Sequence, residues 1–156
     1  VHQLAAKWIV EVLRDSNIPF QICGGLAAKG YGAERELNDI DLFVPGEHFP
    51  KVVQAGQSFI SKPAKHYCEE GWDLTYVQFK YEGIKVEVGN ADGAQIFDVA
   101  SQAWVPLKIA FDRYVTVTLL GLALPVMLKE DLIRYKTVLS RPVDIDDIRA
   151  MRERSG

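Results

Sequence analysis

The chain is poor in the residues that would set it apart from ordinary globular chemistry. Among its 156 residues are only two cysteines, Cys23 and Cys68, each in a largely apolar context. Two thiols build neither a disulfide framework nor a zinc cluster, and a reduced, cytoplasmic setting is expected. An excess of basic charge is absent too: 18 Lys and Arg against 21 Asp and Glu give a net charge of −3. That balance argues against extended nucleic-acid binding, which relies on clustered Lys and Arg. No apolar run approaches the ~20 residues that span a bilayer. The longest, 114–128, is broken by Gly121 and Pro125, so no membrane span is expected. No signal peptide is read in 1–14, which is patterned as an amphipathic helix. Repeats, low-complexity segments and linkers are missing as well, so 1–156 is expected to form one domain.

What is present is patterned for an α/β arrangement. Leu4, Ala5, Trp8, Ile9, Val12 and Leu13 recur at helical spacing and predict a helix over 3–15, stopped by Asp15-Ser16-Asn17 and barred by Pro19. A short strand at 20–23 then enters Gly24-Gly25, with a short helix expected at 26–31 and a strand at 40–44 ended by Pro45-Gly46. A helix is expected over 47–59. The runs 74–81 and 84–88, joined by Glu82-Gly83, read as a hairpin. After a loop at 89–95, strands are expected at 95–99 and 115–120. Helices follow over 128–140 and 144–154, separated by Pro142. This order of elements gives an α/β (α+β) sheet domain with a helical C-terminal end.

The chemistry concentrates in two places. Along Asp39-Ile40-Asp41-Leu42-Phe43-Val44, alternation sends Ile40, Leu42 and Val44 to one face and Asp39 and Asp41 to the other. Their backbone positions are then about 6–7 Å apart, close enough for both carboxylates to converge on divalent ions. Asp is depleted in strands, so two on one face need a reason. In Ile84-Lys85-Val86-Glu87-Val88 the aliphatics take the core face and Glu87 the opposite one. A pairing that sets Glu87 beside Asp41 completes a three-carboxylate site of hard oxygen ligands suited to Mg²⁺. A strand running through Gly24-Gly25 into a helix offers backbone N–H groups that can hold phosphate. Each feature alone also reads as plain structure, a tight turn and a polar strand edge.

Taken together, Gly24-Gly25, the gap from Leu26 to Asn38, and Asp39-Ile40-Asp41-Leu42 resemble the signature of the nucleotidyltransferase superfamily that includes DNA polymerase beta and the antibiotic nucleotidyltransferases. Arg35, shortly before the acids, resembles the arginine of the lincosamide and aminoglycoside adenylyltransferase-like branch. The segment VTLLGLALPVMLKEDLIRYKTVLSRPVDIDDIRAM is similar to that branch's C-terminal end: a strand, a Leu-Pro turn, a helix with a lysine, and an Arg-Pro-x-Asp link into a last helix. Lys136, Arg141 and Asp144 fall on those positions. Leu26 departs from the commoner Ser or Thr after the two glycines.

The resemblance implies a nucleotidyltransferase-type mixed sheet with helices on one face. It implies transfer of a nucleoside monophosphate from a nucleoside triphosphate to an acceptor hydroxyl, with release of pyrophosphate. Asp39, Asp41 and Glu87 would hold Mg²⁺ or Mn²⁺, with Glu87 binding a second ion or taking the acceptor's proton. Gly24, Gly25, Arg35 and Lys136 would bind the nucleotide. For Lys136 the alternative is an exposed helix lysine, and for Arg35 a pairing with Glu34, Glu36 or Asp39. The acceptor is expected to be a small molecule, and a homodimer is left open. A regulatory or toxin–antitoxin protein of the same fold acting on RNA or protein, and a nucleotide-binding module without catalysis, stay open as alternatives. His48 and His66 lack a recognisable partner. Asp144, Asp146 and Asp147 are expected to cap the last helix. Asp92 and Asp98 sit in or near a loop that could line an acceptor pocket, and Trp72, Trp104 and Tyr76 could stack on a base or pack in the core.

Overall fold

The structure, a computed structural model, describes residues 2–153; Val1 and Arg154, at the ends of two expected helices, lie outside the described residues. In chain order the elements are α1 (His2–Asp15), β1 (Gln21–Cys23), α2 (Gly24–Gly30), β2 (Asp39–Val44), α3 (Phe49–Ala55), β3 (Ile60–Glu69) and β4 (Trp72–Tyr81). Then come β5 (Ile84–Asn90), β6 (Gln95–Asp98), β7 (Ala103–Pro106), β8 (Tyr114–Leu119), β9 (Leu122–Met127), α4 (Lys129–Leu139) and α5 (Pro142–Glu153). Nine strands form one mixed sheet in the order β7-β6-β4-β5-β2-β1-β9-β8, with β3 paired to β4. The β2–β5 and β1–β9 pairs are parallel and the rest antiparallel. The expected α/β class with a mixed sheet and a helical C-terminal end is what the chain adopts.

α1 buries Ala5, Ala6, Ile9, Val10 and Leu13; of the predicted stripe, Trp8 and Val12 are half-buried and Leu4 is exposed, so the buried face is turned toward Ala6 and Val10. It ends where Asn17 takes a left-handed φ of 53° and the Ile18 N–H reaches back to the Leu13 carbonyl at 2.9 Å. Trp8 stacks on Tyr81 at 5.0 Å and meets Phe79 edge-on at 5.4 Å, which fixes α1 on one face of β4. The Ile40, Leu42, Val86 and Val88 side chains beneath are at most 1% exposed. Burying each such side chain contributes roughly 1.5–3 kcal/mol, so this face anchors the register of β2 against β5. A one-residue slip would send the acids into the core instead.

Several local expectations are revised. The helix expected over 47–59 is α3 flanked by 3-10 turns at Gly46–His48 and Gln57–Phe59. Gly56 marks the break: a Cβ there would sit 2.5 Å from the Phe79 ring. The loop expected from residue 89 starts later, because β5 continues to Asn90. The sequence-based reading places no strand at β3, β7 or β9. Leu124-Pro125, expected as a turn, lies within β9 with Pro125 opposite Thr116. The hairpin at Glu82-Gly83 has φ of 50° and 79°, and the same pairing of a left-handed residue with glycine turns β3 into β4 at Glu70-Gly71 and β8 into β9 at Leu120-Gly121.

Candidate active site

Asp39 and Asp41 leave β2 on the face opposite α1, and the parallel register sets Asp41 directly beside Glu87 of β5. Carboxylate oxygens of Asp39, Asp41 and Glu87 lie within 4.8 Å of one another, each side chain half-buried. Like charges this close disfavour full ionisation. Burial pushes the Asp41 carboxyl well above its ordinary range, and repulsion from Asp39 and Glu87 adds to the rise, while Lys136 and Arg141 oppose it. Glu87 is raised to about 7 by burial first, then by the charge of Asp39 and a hydrogen bond with it; Gln78 and Lys62 act in the other direction. Three converging oxygen donors with mutual repulsion fit a divalent cation such as Mg²⁺ or Mn²⁺.

The two glycines act sterically. Gly24 has φ +63°, and a Cβ there would meet the Asp41 Oδ2 at 2.6 Å. Any side chain would displace the carboxylate. A Cβ on Gly25 would meet the Arg35 Nη2 at 2.8 Å. The backbone N–H of Gly24 donates to the Tyr135 hydroxyl at 2.9 Å, tying the start of α2 to α4. Tyr135 in turn meets Trp72 edge-on at 5.8 Å.

Cations form one wall of the site. Arg35 Nε and Nη2 grip the Asp147 carboxylate at 2.8 and 3.0 Å. Lys136 donates to the same carboxylate at 3.0 Å and to Asp144 at 3.5 Å, and Arg141 grips Asp144 with Nε at 2.7 Å and Nη2 at 3.1 Å. Three cations therefore share two carboxylates beside the three acids of β2 and β5. Lys136 is 1% exposed, so the exposed-lysine alternative does not hold. Arg35 forms its ion pair with Asp147, and the charge of Asp39 acts on it as well. Asp147 stays below the usual carboxylate range because the hydrogen bond from Arg35 and the charge of Lys136 outweigh its burial. Of the acids expected to cap α5, Asp144 does so, accepting from the Arg141 backbone N–H at 3.0 Å. Asp147, one turn further along, faces inward to the cations instead.

These groups line one cleft of about 570 Å³, which brings together Gly24, Gly25, Arg35, Asp39, Asp41, Glu87 and Lys136. Trp72, Tyr76, Tyr135 and Arg141 line it as well. Its far wall is a constellation that sequence reasoning missed. Lys62 donates to the Tyr76 hydroxyl at 2.5 Å and to Glu69 at 2.9 Å, and Tyr76 donates to the same Glu69 oxygen at 2.9 Å. Burial pushes the Tyr76 hydroxyl up to about 12. The Tyr76 and Glu69 hydrogen bonds hold Lys62 above the ordinary ammonium range. Lys62 sits between two register shifts in β3, and such irregularities re-aim side chains. His48, His66, Asp92, Asp98 and Trp104 do not line the cleft. Asp92 borders a separate groove, and Asp98 caps its own turn through the Ala100 N–H.

No family model and no curated protein sequence matches the chain. Solved structures do. A Thermotoga maritima protein assigned as a nucleotidyltransferase superposes with a TM-score of 0.72 at 19% identity, covering 96% of this chain and 91% of that one. The lincosamide antibiotic adenylyltransferase LnuA, solved with lincomycin bound, gives 0.62 at 13% identity over 94% of each chain. ANT(2'')-Ia, in complex with adenylyl-2''-tobramycin, gives 0.65 at 17% identity over 99% of this chain and 89% of that one. The chain thus has the fold of nucleotidyltransferases and antibiotic adenylyltransferases, the fold that its Gly-Gly and Asp-x-Asp segments resemble.

Proposed function

We propose that the cleft is the active site of a divalent-metal-dependent nucleotidyltransferase, which moves a nucleoside monophosphate from a nucleoside triphosphate to a hydroxyl of a small acceptor. The observation that carries this reading is the Asp41–Glu87 register, which converges three carboxylates beside a wall of cations. Asp39, Asp41 and Glu87 would hold Mg²⁺, which would supply positive charge against the triphosphate. Gly24 and Gly25 keep the turn low enough for the phosphates to approach the carboxylates, and Arg35 and Lys136 present positive charge to them. The acceptor oxygen forms a bond to the α-phosphorus as the bond between that phosphorus and the bridging oxygen to the β-phosphorus breaks. Pyrophosphate leaves with that oxygen. Glu87 would either complete the metal site or take the hydroxyl proton.

Support for a small acceptor comes from the neighbours solved with lincomycin and adenylyl-2''-tobramycin, and from a net charge of −3, which disfavours extended nucleic-acid binding. Pyrophosphate release from each of ATP, GTP, CTP and UTP, followed over a panel of hydroxylated small molecules with Mg²⁺, tests the reading. Release that needs both metal and acceptor, and that vanishes in Asp41→Ala, is expected. Release that is equal in the variant refutes the assignment.

A further inference from the structure

The sheet has three outer strands, and they are not treated alike. β7 is four residues long and ends in Pro106. β3 carries Lys62, Pro63, Lys65, His66 and Glu69 and is interrupted by two register shifts. Short length, proline, charge and bulges are the devices by which proteins discourage strand addition at an open edge. β8 has none of them. Its sequence, YVTVTL, holds no charge and no proline, and it pairs with β9 over six consecutive residues without a shift. Tyr114 and Val115 are 46% and 38% exposed.

We infer that β8 is the edge through which two copies of this chain pair, as an antiparallel, two-fold continuation of the sheet. A second copy is the occupant that the strand's own chemistry fits. In antiparallel pairing about a two-fold axis at Val117, Val115 lies opposite the partner's Leu119 and Thr116 opposite the partner's Thr118. Aliphatic meets aliphatic and hydroxyl meets hydroxyl, the pairings that stabilise sheets. An isologous contact requires this self-complementarity. Val117 and Leu119 already pack on α2, where a Cβ on Gly30 would lie 3.6 and 3.2 Å from them. The pairing therefore prolongs an aliphatic row that exists in each copy. With no charge along β8, no like-charge opposition arises at any register, and a charged partner strand finds nothing to recognise.

One six-residue strand pairing lies at the low end of specific interfaces, which bury roughly 1,200–2,000 Å². The dimer is accordingly concentration-dependent. Three strands separate β8 from β5, so the cleft of each copy stays open and the inference stands or falls apart from the proposed reaction.

Sedimentation velocity from low micromolar to near-millimolar protein tests it. The wild-type chain is expected to pass from monomer to dimer, and the double variant T116K/T118K, which sets like charges opposite each other across the axis, to weaken the dimer at least tenfold. Both threonines are exposed, so melting temperature and Mg²⁺-nucleotide binding are expected to match wild type. Hydrogen exchange on the wild-type chain gives a reading that needs no variant: amides of 114–119 gain protection with concentration, while those of β3 and β7 do not. A chain that stays monomeric throughout, as it would if a different protein supplied the missing strand, overturns the inference. A dimer unaffected by the double variant overturns it too.

Discussion

Replacing Glu87 by Gln removes one charge from the carboxylate cluster and leaves its shape nearly unchanged. The Glu87 carboxyl rises from 4.5 to about 7 on folding. The folded state therefore binds its proton more tightly than the unfolded chain, and stability falls as pH rises through that window. At about 1.36 kcal/mol for each tenfold change in equilibrium, ionised Glu87 costs the metal-free protein roughly 3 kcal/mol above pH 7. Because Glu87 is half-buried, solvent screening lowers the observable cost to between about 1 and 3 kcal/mol. Around pH 5 the folded carboxyl is protonated and the cost shrinks below about 1 kcal/mol. Urea melts of metal-free wild type and Glu87→Gln at pH 5 and pH 8 measure the difference directly. The variant is expected to match wild type within about 1 kcal/mol at pH 5 and to exceed it by about 1–3 kcal/mol at pH 8. Millimolar Mg²⁺ should close the gap at pH 8 by stabilising wild type alone. Parallel pH dependence in the two proteins, or a variant less stable at pH 8, would refute the rise of the Glu87 carboxyl by burial and by Asp39.

Gly24→Ala sets a Cβ at 2.6 Å from the Asp41 carboxylate on a backbone with φ +63°. A loss of about 1–3 kcal/mol is expected in urea melts, with weakened Mn²⁺ binding by electron paramagnetic resonance; unchanged metal affinity would contradict the steric role. Tyr135→Phe removes the acceptor of the Gly24 N–H and is expected to cost about 1–3 kcal/mol by the same melts, whereas a neutral result would mean that the bond contributes nothing. Lys136→Met strips a buried cation from Asp144 and Asp147, with an expected cost of about 3 kcal/mol at neutral pH. Asp147 is held below its ordinary value, so the stability from its pairing is present above pH ~4 and is lost in acid. The variant and wild type should therefore converge as pH falls, and a gap that persists in acid would show that packing, not charge, is what Lys136 supplies.

How much of this was legible in sequence follows from where burial imposes a pattern. β2 and β5 each have one apolar face, so alternation put Asp39 and Asp41 on the other face of β2 and Glu87, with Lys85, on that of β5; the parallel register that sets Glu87 beside Asp41 was inferred, and the structure has it. The Glu82-Gly83 hairpin was readable because aliphatic strands flank it. β3 was not, since the half-buried positions of ISKPAKHYCE include Lys62 alongside Ile60, Ala64 and Tyr67, so the strand shows no apolar alternation. That omission hid Lys62, and with Lys62 the role of Tyr76 and Glu69 in the far wall. Leu124-Pro125 misled in the opposite sense. Proline marks turns in sequence, yet in β9 Pro125 forgoes one N–H in a strand held by Leu124 and Val126, which are at most 1% exposed. The cation wall was half legible. Arg35, Lys136, Arg141 and Asp144 stood out by resemblance, but Asp147 looked like a helix cap. Only the packing of α5 against α2 and α4 turns its carboxylate inward between Arg35 and Lys136. Gly-Gly was read as a phosphate cradle; that a side chain at either position would collide with Asp41 or Arg35 was not legible, because it depends on the packing of β2 and of the 31–38 segment.

The proposed reaction requires Asp39, Asp41 and Glu87 to hold a divalent metal and, through it, a nucleoside triphosphate. Isothermal titration of ATP, GTP, CTP and UTP into the wild-type chain and Asp41→Ala, each with and without Mg²⁺, tests that directly. At least one triphosphate is expected to bind wild type only when Mg²⁺ is present and to lose that binding in the variant. Equal affinity in the two proteins, or binding indifferent to the metal, would contradict it.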